Sequence, residues 1–373
     1  MNINSVKADG YKNLCGIDIA LDKKLNIFCG DNAQGKTNLI ESIWLCTGCK
    51  SFRGTRDKDF IGFNSEAADI CLDFSDSQRT QEIVFKVKKA NVKDKTITLN
   101  GVKLPLLSRL FGSFKAVIFT PEDLELSKGS PENRRTFVDL SVAQIKPSYI
   151  AALNKYNNIL SQRNALLKSI GMGLAEPSAL DIWDEQLAKT GAYISVLRYT
   201  YCTKLNNYTN KLYSNLTQSK ENLQLYYQST VYKELDGRTD YDGELFKIYY
   251  GRLKNNADDD IRAGFTLAGV HRDDIITRID NLNTREFGSQ GQARSVALVM
   301  KLAQAQILTA ETGEAPVMLL DDVLSELDIS RQRFILGSID DMQVLITCCD
   351  SKFISEMSGG KVFYIKNGQV EGR

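Results

Sequence analysis

The chain opens with short apolar segments separated by polar turns. Residues 1–30 predict two or three short strands, the last ending in Leu25-Asn26-Ile27-Phe28-Cys29. A Gly-rich turn follows, then a helix from about Lys36 to Gly48. Residues 68–100 alternate apolar and polar, as in Ile70/Leu72/Phe74 and Ile83/Phe85/Val87, the period of an antiparallel meander. From about Ile145 the period changes. Ile145, Tyr149, Ala152, Tyr156 and Ile159 form a heptad seam. A break at Gly171-Met172-Gly173 precedes a second stripe through Ile194, Leu197, Tyr201, Leu205, Tyr208 and Leu212. Two such helices can fold back as a hairpin with arms on the order of 40–50 Å, or belong to an ordinary helical subdomain. Residues 222–232 predict a strand and 242–257 a helix, and strand and helix patterns alternate again from Ala263. The expected architecture is an α/β lobe split by a mainly helical insertion, with boundaries at 1–125, 126–260 and 261–373.

Composition narrows the class. With 373 residues and 43% hydrophobic content, the chain can bury one large core or two smaller ones. A net charge of +1 means that any nucleic-acid contact must come from local patches. No run of 18 apolar residues predicts a membrane span, and the N-terminus lacks a signal-peptide pattern. The eight cysteines have no disulfide spacing, which predicts a reducing, cytoplasmic setting. Cys46-Thr47-Gly48-Cys49 is a lone C-x-x-C, and His271 is the single histidine, too few ligands for zinc. Trp44 and Trp183 are expected in the core.

Gly30-Asp31-Asn32-Ala33-Gln34-Gly35-Lys36-Thr37 fits G-x-x-x-x-G-K-[ST], after a predicted strand and before a predicted helix. Its chance occurrence in a chain this long is roughly one in a hundred. The glycines let the backbone wrap phosphate oxygens, and the helix N-terminus offers free N–H groups. Lys36 is placed to reach the β/γ-phosphates and Thr37 to offer a hydroxyl to Mg²⁺. Val317-Met318-Leu319-Leu320-Asp321-Asp322 reads as a buried parallel strand with two carboxylates at its carboxyl end. Asp321 is placed to orient Mg²⁺ or its water, and Asp322 to polarise an attacking water. About thirty residues earlier, Ser289-Gln290-Gly291-Gln292 precedes a helix, with Ser289 as its cap, a second candidate phosphate contact.

This order of motifs resembles the ABC ATPases. The resemblance implies an ATP-sandwiched homodimer in which Ser289 and Gly291 reach the γ-phosphate held by the other copy. It also matches Ser325-Glu326-Leu327-Asp328 to a D-loop, with Asp328 crossing the dimer interface. Together with Asn38-Leu39 after the loop, further matching pieces are Ser51 through Asp57, Phe119 through Leu124, Lys128 through Arg135, Gly269 through Asp274 and Leu319 through Asp328. By these the chain resembles the RecF family of bacterial recombination mediators along nearly its whole length. That resemblance implies ATP-dependent dimerisation, binding to duplex DNA or a single-strand/duplex junction, and slow hydrolysis that resets the protein. It implies RecR and RecO as partners, with RecA and SSB acting indirectly in gap repair, replication restart and SOS induction. Two departures stand out. The switch-histidine position falls on Cys349, where RecF-like chains usually carry Thr, and no glutamine marks a Q-loop, Thr120 or Glu122 lying nearest.

Residues 79–103 hold seven basic residues, Lys86, Lys88, Lys89, Lys93 and Lys95 among them, against two acidic ones. Such a hairpin suits phosphate contact without sequence reading, and Arg53 and Arg56 can face the same groove. A solvated strand face is the competing reading. An SMC-like clamp would need far longer arms. A transporter subunit would leave the basic strand unexplained, and a nuclease would need a further acidic domain.

Overall fold

The structure is a computed structural model that describes residues 1–235, 241–349 and 360–371, and within these the backbone alone at 93, 94 and 125. The chain divides into two compact units, Met1–Glu125 with Ala297–Arg373, and Leu126–Val296.

The first unit begins with β1 (Asn2–Asp9), β2 (Ile17–Ala20), β3 (Leu25–Cys29) and α1 (Lys36–Leu45). The expected meander follows as β4 (Ala67–Ser75), β5 (Thr80–Lys88), β6 (Asn91–Leu99) and β7 (Val102–Leu104), and then β8 (Ala116–Phe119). Along β5 burial alternates strictly, with Ile83, Phe85 and Val87 inward, as a sheet with one solvated face requires.

The second unit holds α2 (Pro131–Ile145), α3 (Ser148–Gly171), α4 (Asp181–Thr217), β9 (Leu223–Gln228), α5 (Gly243–Asn255) and α6 (Ala257–Ala263). It continues with β10 (Asp274–Ile279), β11 (Leu282–Asn283) and α7 (Thr284–Phe287). α8 (Gln290–Thr312) leads back into the first unit, which closes with β12 (Val317–Asp321), α9 (Ile329–Ser338), β13 (Val344–Cys348), β14 (Lys361–Lys366) and β15 (Gln369–Glu371).

In the first unit one sheet has the antiparallel order β2-β1-β4-β5-β6-β7. The other has the order β15-β14-β3-β13-β12-β8, parallel from β14 to β8 with an antiparallel edge at β15. Every residue of β12 and β13 is buried, which explains their unbroken apolar sequence. Gln343 ties the two sheets together: its amide accepts from Ile3 N at 2.6 Å and donates to Ile3 O at 2.9 Å and Asp22 O at 2.7 Å.

The structure differs from the sequence reading at three places. The insertion ends at Val296 rather than 260, because β10 pairs antiparallel with β9 and keeps 274–279 within the second unit. The first heptad seam is interrupted: Ile145 closes α2 and Pro147 precedes α3, since proline cannot continue a helix from within. Trp183 is only partly buried, whereas Trp44 is core.

The two long helices are packed, not a free-standing arm. α3 lies along α4, and α4 also packs on α5 and β9. α4 approaches α5 so closely at Gly191 that a Cβ there would sit 2.4 Å from the Tyr249 ring. Three fully buried arginines brace this unit. Arg163 bonds Asp184 at 2.6 Å and Asp260 at 2.7 Å, Arg198 chelates Asp139, and Arg134 grips Asp274 with two bonds of 2.8 Å. His271 Nε2 donates to Thr266 O at 3.0 Å and its Nδ1 accepts from Tyr156 Oη at 2.8 Å, and burial pushes the ring down to about 4, so it is neutral at pH 7.

Removing Arg163 would strand the carboxylates of Asp184 and Asp260, both fully buried. Arg163→Ala should therefore lower the urea unfolding free energy by about 3–5 kcal/mol.

Candidate functional site

Strands β3, β13 and β12 run parallel in neighbouring register, with Cys29 opposite Cys348 and Thr347 opposite Asp321. Their carboxyl ends therefore open at one edge, the place where an α/β sheet binds ligands. The loop Gly30–Thr37 starts there and hands over to α1, whose first turn has no side-chain cap and keeps its N–H groups for a ligand. Gly35 has φ +114°, a conformation that favours glycine, and a Cβ there would also lie 2.9 Å from Asn13 Oδ1.

The lysine of this loop is folded onto its own backbone. Lys36 Nζ donates to Gly30 O at 2.5 Å and Asp31 O at 2.9 Å, and lies 3.3 Å from Cys349 Sγ. The ammonium group thus occupies the mouth of the loop as a preset positive charge. Cys349 also reaches Asn32 Oδ1 at 3.0 Å, so the departure noted at the switch position sits against the loop itself. Asp350 lies outside the described residues.

Thr37 Oγ1 donates to Asp321 Oδ1 at 3.1 Å, and Thr347 Oγ1 donates to the same oxygen at 2.8 Å. Burial raises the Asp321 carboxyl above its ordinary range, against the opposing pull of the Thr347 and Thr37 hydroxyls. A hydroxyl and a carboxylate side by side are hard oxygen donors, the set that Mg²⁺ prefers. Asp322 follows in the left-handed region at φ +52°, its N–H bonded to Thr347 Oγ1 at 2.8 Å, and it lines the same cavity as the loop. That cavity has a volume of about 750 Å³.

Several residues that hold the loop gave no signal in sequence. Asn13, from the β1–β2 turn, bonds Ala33 O and Asn38. Gln34 is held by Asn367 N and Gly368 N of the β14–β15 turn. Glu41 of α1 is completely buried and takes bonds from Lys12, Ser51 and Thr55. This pins the 51–55 loop so that Arg53 Nη1 reaches Asn38 Oδ1 at 3.0 Å. Only proximity in the fold reveals these partners.

The sequence-predicted residues separate into groups. Gly30, Asp31, Asn32, Ala33, Gln34, Gly35, Lys36, Thr37, Asn38, Asp321 and Asp322 converge at this edge of the first unit. Arg53 and Lys89 line the cavity beside them, whereas the sequence placed both on a DNA-facing surface. Arg56 and Lys88 are exposed elsewhere, Lys86 faces Asp69 at 3.5 Å, and Lys95 is paired with Asp57. The side chains of Lys93 and Asp94 lie outside the described residues. Thr120 is turned to Asp123 by two bonds, and Glu122 is exposed at the end of β8.

Ser289 and Gly291 fall in the second unit. Ser289 Oγ accepts from Gln292 N at 3.1 Å while Gln292 Oε1 accepts from Ser289 N at 2.8 Å, a reciprocal capping box. Asp328 caps α9, accepting from Arg331 N and Ser330 Oγ, and these bonds hold its carboxyl down at about 2. Cys46 and Cys49 are buried thiols raised by burial, Cys49 to about 12, and do not form a reactive pair.

A family model described as the RecF/RecN/SMC N-terminal domain matches residues 2–371. The chain is similar to a solved structure of the recombination mediator protein RecF with ATP, at TM-score 0.89 and 34% identity, covering 99% of this chain and 97% of that one. A second, described as RecF-ATPrS, gives 0.91 at 33% identity over the same shares. Among sequences, the DNA replication and repair protein RecF of Clostridium kluyveri is 40% identical over 372 residues, covering 99% of each chain. That of Clostridium tetani is 38% identical over the same length and shares. An SMC head bound to the winged-helix domain of ScpA matches at TM-score 0.56 and 13% identity, a likeness of fold alone. No helix among the described residues is long and apolar enough to cross a membrane.

Because Asp321 resists ionisation where it is buried, the folded chain is destabilised as pH rises from the ordinary carboxylate range through its raised value. Asp321→Asn removes that cost and the cation ligand together. By differential scanning calorimetry at pH 7.5 it should raise the ligand-free melting temperature by roughly 2 °C, and it should abolish any further rise on adding ATP with Mg²⁺.

Proposed function

The chain belongs to the RecF/RecN/SMC N-terminal domain family, and on that premise we propose that it is a RecF-type, ATP-dependent DNA-binding protein of replication and repair. The observation that carries this reading is the convergence of Lys36, Thr37, Asp321 and Asp322 at one strand edge. In this reading the γ-phosphate of ATP draws Lys36 Nζ away from Gly30 O and Asp31 O, exchanging two neutral acceptors for anionic ones. The free N–H groups of α1 take the remaining phosphate oxygens. Thr37 and Asp321 hold Mg²⁺, which when bound neutralises phosphate charge. Asp322 orients the attacking water. Arg53, held by Asn38, adds positive charge to the same cavity.

Ser289 and Gly291, with the capped N-terminus of α8, meet the γ-phosphate of a second copy, so ATP closes a homodimer. Asp328 stands on the face that meets the partner. Duplex DNA, or a single-strand/duplex junction, contacts Arg56 and Lys88 through its phosphates, with Lys86 less available beside Asp69. A weak, DNA-stimulated ATPase reopens the dimer. RecR and RecO are the proposed direct partners, with RecA and SSB engaged indirectly at gaps, and the setting is the cytoplasm. An SMC-like clamp is less well supported, because α3 is only about 36 Å long and α4 about 55 Å, and both are packed within their unit.

Fluorescence anisotropy with a duplex probe should show binding with ATP and Mg²⁺ that ADP does not support. Ser289→Arg should lose both that binding and ATP-driven dimerisation in sedimentation. A variant that still dimerises at unchanged affinity would refute the sandwich. Lys36→Arg should retain nucleotide binding and lose turnover by roughly a hundredfold or more, read by phosphate release.

A further inference from the structure

The second unit carries a groove of about 760 Å³ that nothing above uses. One wall is α4, at Tyr199, Cys202 and Thr203, and the other is the outer edge of β9. Among the described residues β9 pairs only with β10, and its other edge has no strand partner there. Along part of that edge, α4 supplies substitutes. Asn210 Nδ2 donates to Leu223 O at 2.8 Å, and Leu225 N donates to Asn206 Oδ1 at 2.7 Å. These bonds fix the parity of the strand: the backbone groups of Leu223 and Leu225 turn away from β10, and so do those of Tyr227. One turn further along α4 the substitution stops. Thr203 Oγ1 is spent on Tyr199 O of its own helix, and Cys202 has no amide to offer. The groove takes in the last of these pairs, Asn206 with Leu225, and runs on past Tyr227, where α4 offers no such partner.

Its rim is cationic. Lys233, Arg252 and Arg278 are exposed and line it, against Glu234 as the one acid among its described lining residues. Arg278 stacks on the Tyr226 ring at 5.2 Å. Among the described residues none of the three cations has a carboxylate at ion-pair distance, whereas the arginines inside this unit are all paired. An unpaired strand edge invites another strand, and three unneutralised cations beside it select an acidic one.

We propose that this groove takes an extended acidic peptide segment of a partner protein, which adds to β9 at Tyr227 and sets its carboxylates against Lys233, Arg252 and Arg278. A DNA duplex is too wide to enter a cleft of this size. A single strand of nucleic acid would use the cations but leave the Tyr227 backbone unmatched.

The test is fluorescence anisotropy on the full chain without nucleotide, using a labelled peptide of about eight residues that alternates glutamate and threonine. Three comparison probes are the same peptide with lysine for glutamate, the same peptide N-methylated at alternate amides, and oligothymidylate. The glutamate peptide should bind. The lysine peptide should not, and N-methylation should weaken binding about tenfold. Lys233→Glu, and separately Arg252→Glu with Arg278→Glu, should each weaken it about tenfold or more. Lys233 is exposed, so its variant keeps the test independent of folding, checked by an unchanged melting temperature. Absence of glutamate-peptide binding, or binding indifferent to all charge reversals, overturns the proposal. Tighter binding of oligothymidylate at the same three residues overturns it too, and assigns the groove to nucleic acid.

Discussion

The parallel register of β3 with β13 and of β13 with β12 is the constraint on which the nucleotide-type site depends. It brings the first glycine of the loop to one edge with Thr347 and Asp321, although Gly30 lies about three hundred residues before them in sequence. The two hydroxyls that meet on Asp321 come from α1 and β13, so a slip of either strand would leave a buried carboxylate without partners. The cost of burying Asp321 is tolerated because the site gains a preset anionic oxygen. Lys36 is the counterpart: it is held at the loop mouth by carbonyls that a phosphate can outcompete. Charge of each sign is thus fixed before any ligand arrives, which lowers the reorganisation that binding requires.

Around this edge the supports are turns, not regular elements. The β1–β2 turn contributes Asn13, the β14–β15 turn contributes Asn367 and Gly368, and the 51–55 loop contributes Arg53. Each is anchored by a sheet or by buried Glu41. The β14–β15 and β1–β2 turns also pack closely on each other: a Cβ at Gly368 would lie 1.7 Å from the Asn13 carbonyl oxygen.

The second unit is organised differently. Its helices are joined by buried ion pairs: Arg163 bridges α3 to α4 and α6, Arg198 joins α4 to α2, and Arg134 joins α2 to β10. Pairs of this kind add little net stability over an apolar core, but each fixes which helix meets which, because a mispaired arrangement would bury a bare charge. On the surface of the same unit, at the edge of β9, three cations have no carboxylate partner among the described residues, in contrast to the paired arginines of its interior.

Much of the site was legible in sequence because its signals are local. The spacing of Gly30, Gly35, Lys36 and Thr37 is set by the geometry of one loop, and the apolar run before Asp321 reflects burial of a single strand. The capping role of Ser289 is equally local, since a cap acts within one helical turn. The helical insertion and the meander followed from periodicity alone. Its end at Val296 did not, because the pairing of β10 with β9 joins segments nearly fifty residues apart and leaves no local trace. The place of Arg53 and Lys89 in the cavity, the burial of Glu41, and the thiol of Cys349 against Lys36 were likewise decided by tertiary structure. A charged residue reads the same in sequence whether it faces solvent, a ligand or a partner, and only the folded chain decides what lies opposite.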